Sequence, residues 1–419
     1  MTATVNPTAD GSPKSDGANR RPLHPATAPF DAGWLDVGPG HRIHVRQFGQ
    51  RHGPAALVLH GGPGSGGSQL LPRFVDPAHY RIVCPDQRGT GGSRPRGQLV
   101  DNTTDDLLAD LRRLRRDLGI DRWLVVGGSW GATLALCHAA DEPQAVAGLL
   151  LRSTFLARDQ DVDWFFVGAR PRRPRAWCRF AAALPAGARD RPLEFLAGRL
   201  IDGDPAERLA LARAWFAWER ALSGPGSEIE PARESAPDAC SDPASDPRAA
   251  PDPRAAADPR AAADPRPSAD PRPSADPRPS ADSSPMPPAD GDAALLIDRY
   301  RVQAHYLRHH CWLATSTLLD RCARVPTVPT LLLHGVEDIV CRPDPAMLVA
   351  RRLIDNGVPA RLVVLDGVGH DPTHPAMVDA IVRAADDFAL GGDFGSATLG
   401  GGRTLAVPTA AERDDGGRS

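Results

Sequence analysis

The sequence predicts an α/β fold: a mostly parallel central sheet with helices on both faces and a helical cap inserted between two strands. Three observations carry this. Short apolar runs alternate with helix-length amphipathic stretches over 55–151 and again over 330–389, and strand–helix alternation is the pattern of a parallel sheet. Several of the apolar runs pass directly into glycine-rich or acidic loops, the place where such sheets carry their sites. Between the two alternating blocks lies an interruption, 153–326, whose first and last parts are helix-like and rich in Trp, Arg and Leu.

The elements follow in order. Two short strands, 34–38 and 41–48, meet at the Gly38-Pro39-Gly40 turn. Ala55 to His60 and Arg81 to Cys84 are buried strands. Asn102 to Leu118 is an amphipathic helix, opened by Asn-Thr-Thr and early aspartates, with Leu107, Leu111, Leu114 and Leu118 on one face. Strand 122–126, helix 130–141 and strand 146–151 complete the first block. After the interruption come strand 330–334, helix 344–355, strand 360–365 and a last helix, 374–389.

Composition sets the domain organisation. The 419 residues would allow two or three domains, yet the 43 prolines and 40 glycines concentrate in the first 30 residues, in 223–292 and after Leu390. Setting those aside leaves roughly 290 residues, the size of one α/β domain with a lid. The expected division is a disordered segment 1–29, a core of 30–152 and 327–390, a cap 153–326, and a disordered tail 391–419. Within the cap, Asp-Pro-Arg recurs at 246, 252, 258, 264, 270 and 276. A β-helix is excluded because the repeats lack large apolar residues and each carries a proline that cannot donate to a ladder. A flexible, solvated insertion at about 223–292 is expected.

Charge and cysteine usage exclude several classes. The net charge of −3 gives no global field toward nucleic acid or an anionic membrane. Lys14 is the only lysine, arginine supplying the remaining positive charge. The seven cysteines are scattered, with no pair at metal-ligand spacing. No apolar stretch approaches the ~20 residues that span a bilayer, and no secretory leader is evident. A reduced, cytoplasmic protein without metal or organic cofactor is expected.

The chemistry starts at Gly127-Gly128-Ser129-Trp130-Gly131, between a strand and a helix. A serine on so sharp a turn stands clear of the sheet at a helix N-terminus, and flanking glycines let strand and helix approach. Acyl transfer by serine also needs a base, an acid to orient it, and donors for the oxyanion. Asp338 lies in the loop after strand 330–334 and His370 in the loop after strand 360–365. The order Ser129, Asp338, His370 is that of α/β-hydrolases. Glu337 and Asp366 are alternative acids, and His374 is a weaker base candidate. His60-Gly61-Gly62-Pro63-Gly64 follows strand 55–60. Its Gly62 N–H is expected to join that of Trp130 in an oxyanion hole. Asp86 and Arg88 read as braces between neighbouring loops.

Taken together, His60 to Gly64, Asp86 to Ser93, Gly127 to Leu136, His334 to Cys341 and Gly367 to His370 resemble the prolyl aminopeptidase (proline iminopeptidase) family of α/β-hydrolases. The likeness covers roughly 30–222 and 293–390 and extends to cap segments such as Trp215 with Trp218-Glu219 and His305-Tyr306. It implies a serine hydrolase that releases an N-terminal residue, preferably proline, from small peptides or amides with a free N-terminus. It also implies that Glu219 pairs with the substrate amine and that Phe155 and Cys341 line the proline-ring pocket. The family usually carries a second glutamate where this chain has Gln303, and often an aromatic where it has Leu307. Weaker amine recognition follows, and an esterase or amidase indifferent to a free amine is the alternative. A non-catalytic binding module is disfavoured by the intact Ser/Asp/His set. The sequence does not fix the oligomeric state.

Overall fold

The computed structural model describes residues 20–38, 40–224, 290–395, 399 and 401–406. Among them, nine strands form one sheet in the order β1-β2-β4-β3-β5-β6-β7-β8-β9. The strands are β1 (Asp31–Gly38), β2 (His41–Gly49), β3 (Ala55–Leu59), β4 (Arg81–Pro85), β5 (Trp123–Gly128), β6 (Val146–Arg152), β7 (Thr330–Gly335), β8 (Ala360–Leu365) and β9 (Arg403–Leu405). β4 through β8 run parallel, and the two hairpin strands and β9 add antiparallel edges.

Alternate residues of each strand face opposite sides, so each side carries its own apolar layer. Leu57, Val125, Leu149, Leu332 and Leu362 belong to one layer, where α1 (Thr104–Asp117), α2 (Trp130–Asp141) and α9 (Pro343–Asp355) pack. Ala56, Leu124, Leu150, Leu331 and Val363 belong to the other, beneath α10 (Pro375–Gly391). α1 starts where expected because Thr103 and Asp106 form a reciprocal capping box. Its Leu107, Leu111 and Leu114 are buried, while Leu118 is only partly covered.

The cap is helical. It comprises α3 (Asp159–Asp163), α4 (Pro174–Ala182), α5 (Pro192–Asp202), α6 (Pro205–Ser223), α7 (Asp290–Arg308) and α8 (Leu318–Arg321). An aromatic cluster binds it together. Trp215 meets Phe166 at 5.0 Å and Tyr300 at 5.1 Å, and Trp218 stacks on Phe180 at 5.9 Å. The Asp-Pro-Arg repeat, on which the expectation of a flexible insertion rests, lies outside the described residues.

Two expectations need correction. The tail was expected to be unstructured from 391 onward, yet β9 pairs with β8, Thr404 opposite Val363, and Phe394 and Leu399 are buried. The leading segment was expected to be unstructured to residue 29, yet residues 20–29 lie along the sheet's second layer. Leu23 packs against that layer, His24 exchanges backbone and side-chain bonds with Arg73, and Arg21 and His24 pair with Asp386 on α10. Both segments are tied by a few long-range contacts that a proline-rich composition in the first and a glycine-rich one in the second mask. Among the described residues, no helix is long and apolar enough to cross a membrane.

Candidate active site

The parallel strands deliver the chemistry-bearing loops to one edge. Ser129 follows β5, Asp338 follows β7, His370 follows β8 and the His60–Gly64 loop follows β3. Ser129 has φ 57° and ψ −124°, a conformation that L residues rarely hold. Close packing imposes it: a Cβ on Gly127 would stand 2.3 Å from the Gly131 carbonyl, and one on Gly131 would stand 2.5 Å from that of Leu59. Only glycines let β5, α2 and β3 converge here, and the turn between them lifts the serine hydroxyl into the cavity.

The Asp338 carboxylate is fully buried. Its Oδ1 accepts the N–H groups of Val340 at 3.0 Å and Cys341 at 2.8 Å, leaving Oδ2 to accept from His370 Nδ1 at 2.8 Å. Burial by itself would raise the carboxyl pKa, but attraction and hydrogen bonding to His370, aided by His334 and the Cys341 N–H, hold it below the ordinary value. His334 is buried nearby and donates from Nε2 to the Cys341 carbonyl at 2.7 Å. Burial lowers its pKa, so it stays neutral beside the pair. Neither Glu337 nor Asp366 takes the acid's place: Glu337 is exposed and Asp366 pairs with Arg403 on β9. His374 caps α10 by accepting from the Ala376 N–H at 3.3 Å.

Ser129 and His370 line one cavity of about 350 Å³. The serine Oγ lies 3.9 Å from the Cys341 Sγ and makes no hydrogen bond to His370 in this arrangement. Such contacts are often loose without substrate and tighten in the complex. Burial, then the neighbouring Asp338, pushes the Cys341 thiol well above its ordinary pKa, so it faces the serine protonated.

The oxyanion candidates sit across the cavity. Gly62 lines it, at φ +117°, and Trp130 opens α2, where its N–H has no intrahelical acceptor. A buried relay locks these two pieces together. The Trp130 indole donates to Gln87 Oε1 at 2.9 Å, Gln87 Nε2 donates to the His60 carbonyl at 2.9 Å, and His60 Nε2 accepts the Gln87 N–H at 3.0 Å. The last bond places the His60 proton on Nδ1, which donates to the Gly61 carbonyl at 2.9 Å. Burial lowers the His60 pKa and keeps the ring neutral. Asp86 and Arg88 do brace loops. Asp86 accepts from the N–H groups of Gly67 and Gly92, both at 2.7 Å, and Arg88 grips Asp110 through two bonds of 2.7 Å.

The remaining expected residues also reach this cavity. Phe155 and Cys341 line it beside Phe165 and Phe166, while Glu219 and Gln303 line it from the cap. Glu219 is already engaged: its Oε1 accepts from Arg299 Nη2 at 2.6 Å and its Oε2 from the Tyr300 hydroxyl at 2.9 Å.

Residues 54–200 match the family model described as alpha/beta hydrolase fold. The chain is 34% identical over 371 residues to a proline iminopeptidase of Xanthomonas citri, covering 88% of this chain and all of that one. It is also 34% identical to a proline iminopeptidase of Xylella fastidiosa strain Temecula1, covering 88% and 99%. The chain belongs to the proline iminopeptidase family. The fold likeness is broader: the crystal structure of VinJ superposes with a TM-score of 0.50 at 20% identity, over 86% of this chain and 99% of that one.

Within this proline iminopeptidase framework, three cavity or relay residues escaped sequence reasoning. Arg152 ends β6 and lines the cavity, its Nη1 3.4 Å from the His370 carbonyl. Its place at a strand's C-terminal edge was the available signal. Gln87 lies between the two residues read as braces and holds the His60–Gly64 loop instead. Arg299 left no signal, since one arginine among many on a cap helix reads as a solvated charge.

Proposed function

We propose that the chain is a serine exopeptidase that releases the first residue, preferably proline, from short peptides or amides. The observation that carries this reading is the buried Asp338–His370 pair, bonded at 2.8 Å, opening onto the cavity that holds the strained Ser129. Ser129 Oγ attacks the first carbonyl while His370 takes its proton. The Trp130 and Gly62 N–H groups hold the tetrahedral oxyanion. Collapse breaks the C–N bond, and the leaving amine departs with the proton from His370. Water, activated by the same imidazole, then hydrolyses the acyl-enzyme. Asp338 fixes the ring and stabilises its cationic form.

The cap supports a small first residue. Phe155, Phe165, Phe166 and Val340 give the cavity an apolar wall, and its 350 Å³ is at the small end for ligand sites. Glu219 and Gln303 line the cavity from the cap, and by the family resemblance they would face the substrate's terminal nitrogen. Turnover of proline arylamide, with an acyl-enzyme trapped on Ser129 by rapid quench, is the expected result; an inert arylamide would overturn the peptidase reading.

A second reading, an esterase or amidase without a free-amine requirement, is favoured by the Arg299–Glu219 ion pair. Rapid hydrolysis of simple aryl esters, together with equal turnover of a proline arylamide and its N-acylated form, would establish it.

A further inference from the structure

Arg152 is the one charged group on the catalytic cavity that has no counter-ion among the described residues. Asp161 pairs with Arg158 at 2.7 Å, Glu219 with Arg299 at 2.6 Å and His370 with Asp338 at 2.8 Å. Arg152 feels the charges of Asp338 and Asp371 but forms an ion pair with neither. Asp338 is committed to His370, and Asp371 Oδ1 accepts from the N–H and hydroxyl of Thr373. A guanidinium keeps its proton at any ordinary pH, so the cavity holds one unmatched positive charge.

Two contacts fix where that charge lies. A Cβ on Gly128 would stand 2.7 Å from Arg152 Nε and 2.8 Å from both Cζ and Nη2, so the guanidinium lies face-on against the glycine that precedes Ser129. Its Nη1 reaches the His370 carbonyl at 3.4 Å. Nε and Nη2 have no acceptor among the described residues, yet neither is enclosed, and the side chain lines the cavity while partly exposed. Two donors of a cation therefore stay open between the serine and the loop of the histidine.

The leaving group belongs on this side. His370 hands its proton to the departing nitrogen, which must then sit by the imidazole. In a dipeptide the leaving residue carries its own carboxylate, whose carbon is only ~2.5 Å from that nitrogen by covalent geometry. In a longer peptide or an amide the same place holds an uncharged carbonyl.

We propose that Arg152 binds the free carboxylate of the leaving residue, which makes the chain selective for dipeptides over longer peptides and amides. The inference rests on the exopeptidase reading and narrows its substrate class from the leaving side. Hydrogen bonds from guanidinium to carboxylate are charge-assisted and stronger than those to a neutral carbonyl.

The test assays the full chain on prolylalanine, prolylalaninamide and prolylalanylalanine, with proline release as the readout. Prolylalanine is expected to exceed both others by about 10- to 100-fold in kcat/KM, the worth of a hydrogen bond between charged groups. The tripeptide groups with the amide because its carboxylate lies ~3.5 Å further along the chain. In Arg152→Met the preference should shrink to within about 3-fold, and Arg152→Lys should retain part of it. An arginine that merely steadied the His370 loop would, when replaced, slow all three substrates alike and leave the preference unmoved; that result overturns the proposal. So does equal kcat/KM for dipeptide, amide and tripeptide in the parent chain, a comparison that needs no variant to fold. If none of the three releases proline while Ser129 still takes a fluorophosphonate, the exopeptidase reading fails and this inference with it.

Discussion

The rim of the sheet and the cap wall face each other across one cavity and are built in different ways. At the rim, each group is placed by backbone: a strand end, a glycine-enforced turn, or a loop with both ends in the sheet. On the wall, Glu219, Arg299 and Gln303 are placed by side chains on two helices, α6 and α7, far apart in the chain. The rim leaves little freedom, since a Cβ at Gly127 or Gly131 would collide with backbone. Under the proposed function, chemistry falls to the backbone-fixed rim and selection of the first residue to the cap wall.

If that contrast holds, rim variants act on kcat and wall variants on selectivity. The largest effect belongs to Ser129→Ala, expected to lower kcat on proline arylamide by about 10⁴-fold or more with the fold intact by circular dichroism. A smaller loss would mean that the serine is not the nucleophile. Asp338→Asn is expected to cost about 10³- to 10⁴-fold in kcat with KM little changed, because the imidazole loses its orienting acceptor. Gln87→Leu breaks the link between the Trp130 indole and the His60 loop, and about a 10-fold fall in kcat is expected as the oxyanion donors loosen. On the wall, Glu219→Gln is expected to change kcat/KM for free-amine substrates by no more than about 10-fold, mainly through KM. A collapse of kcat in this variant to the Ser129→Ala level would erase the distinction between the two regions.

The smallest effect is on stability. Asp338 has a depressed folded pKa, so its charge contributes stability that is present above about pH 4 and lost as pH falls through the folded value. The gap in urea stability between the parent and Asp338→Asn should stay constant from about pH 8 to 5 and narrow below about 4.

The same contrast explains what the sequence disclosed. The rim was legible because each member follows an apolar run and sits in a loop of recognisable residues, Gly-x-Ser-x-Gly at 127–131 and Gly-x-x-His at 367–370. The strands and helices of the core matched for the same reason, their periodicity being strong and their ends marked by caps and glycines. The wall was legible only in part. Glu219 and Gln303 could be named from resemblance, but the partner of a carboxylate on α6 cannot be read when it stands on α7, beyond an intervening insertion. The relay through Gln87 depends on two loops meeting, which no local pattern encodes. β9 spans only Arg403–Leu405, too short for alternation to register, and its placement comes from pairing with β8.

In the proposed mechanism Ser129 becomes nucleophilic because His370, oriented by Asp338, faces it across the cavity. Mapping a fluorophosphonate adduct by peptide mass spectrometry, in the parent chain and in His370→Ala, tests this most directly. One adduct, on Ser129, is expected, forming at least about 10³-fold more slowly in the variant. An adduct on another residue, or labelling of Ser129 at an unchanged rate without the imidazole, would contradict it.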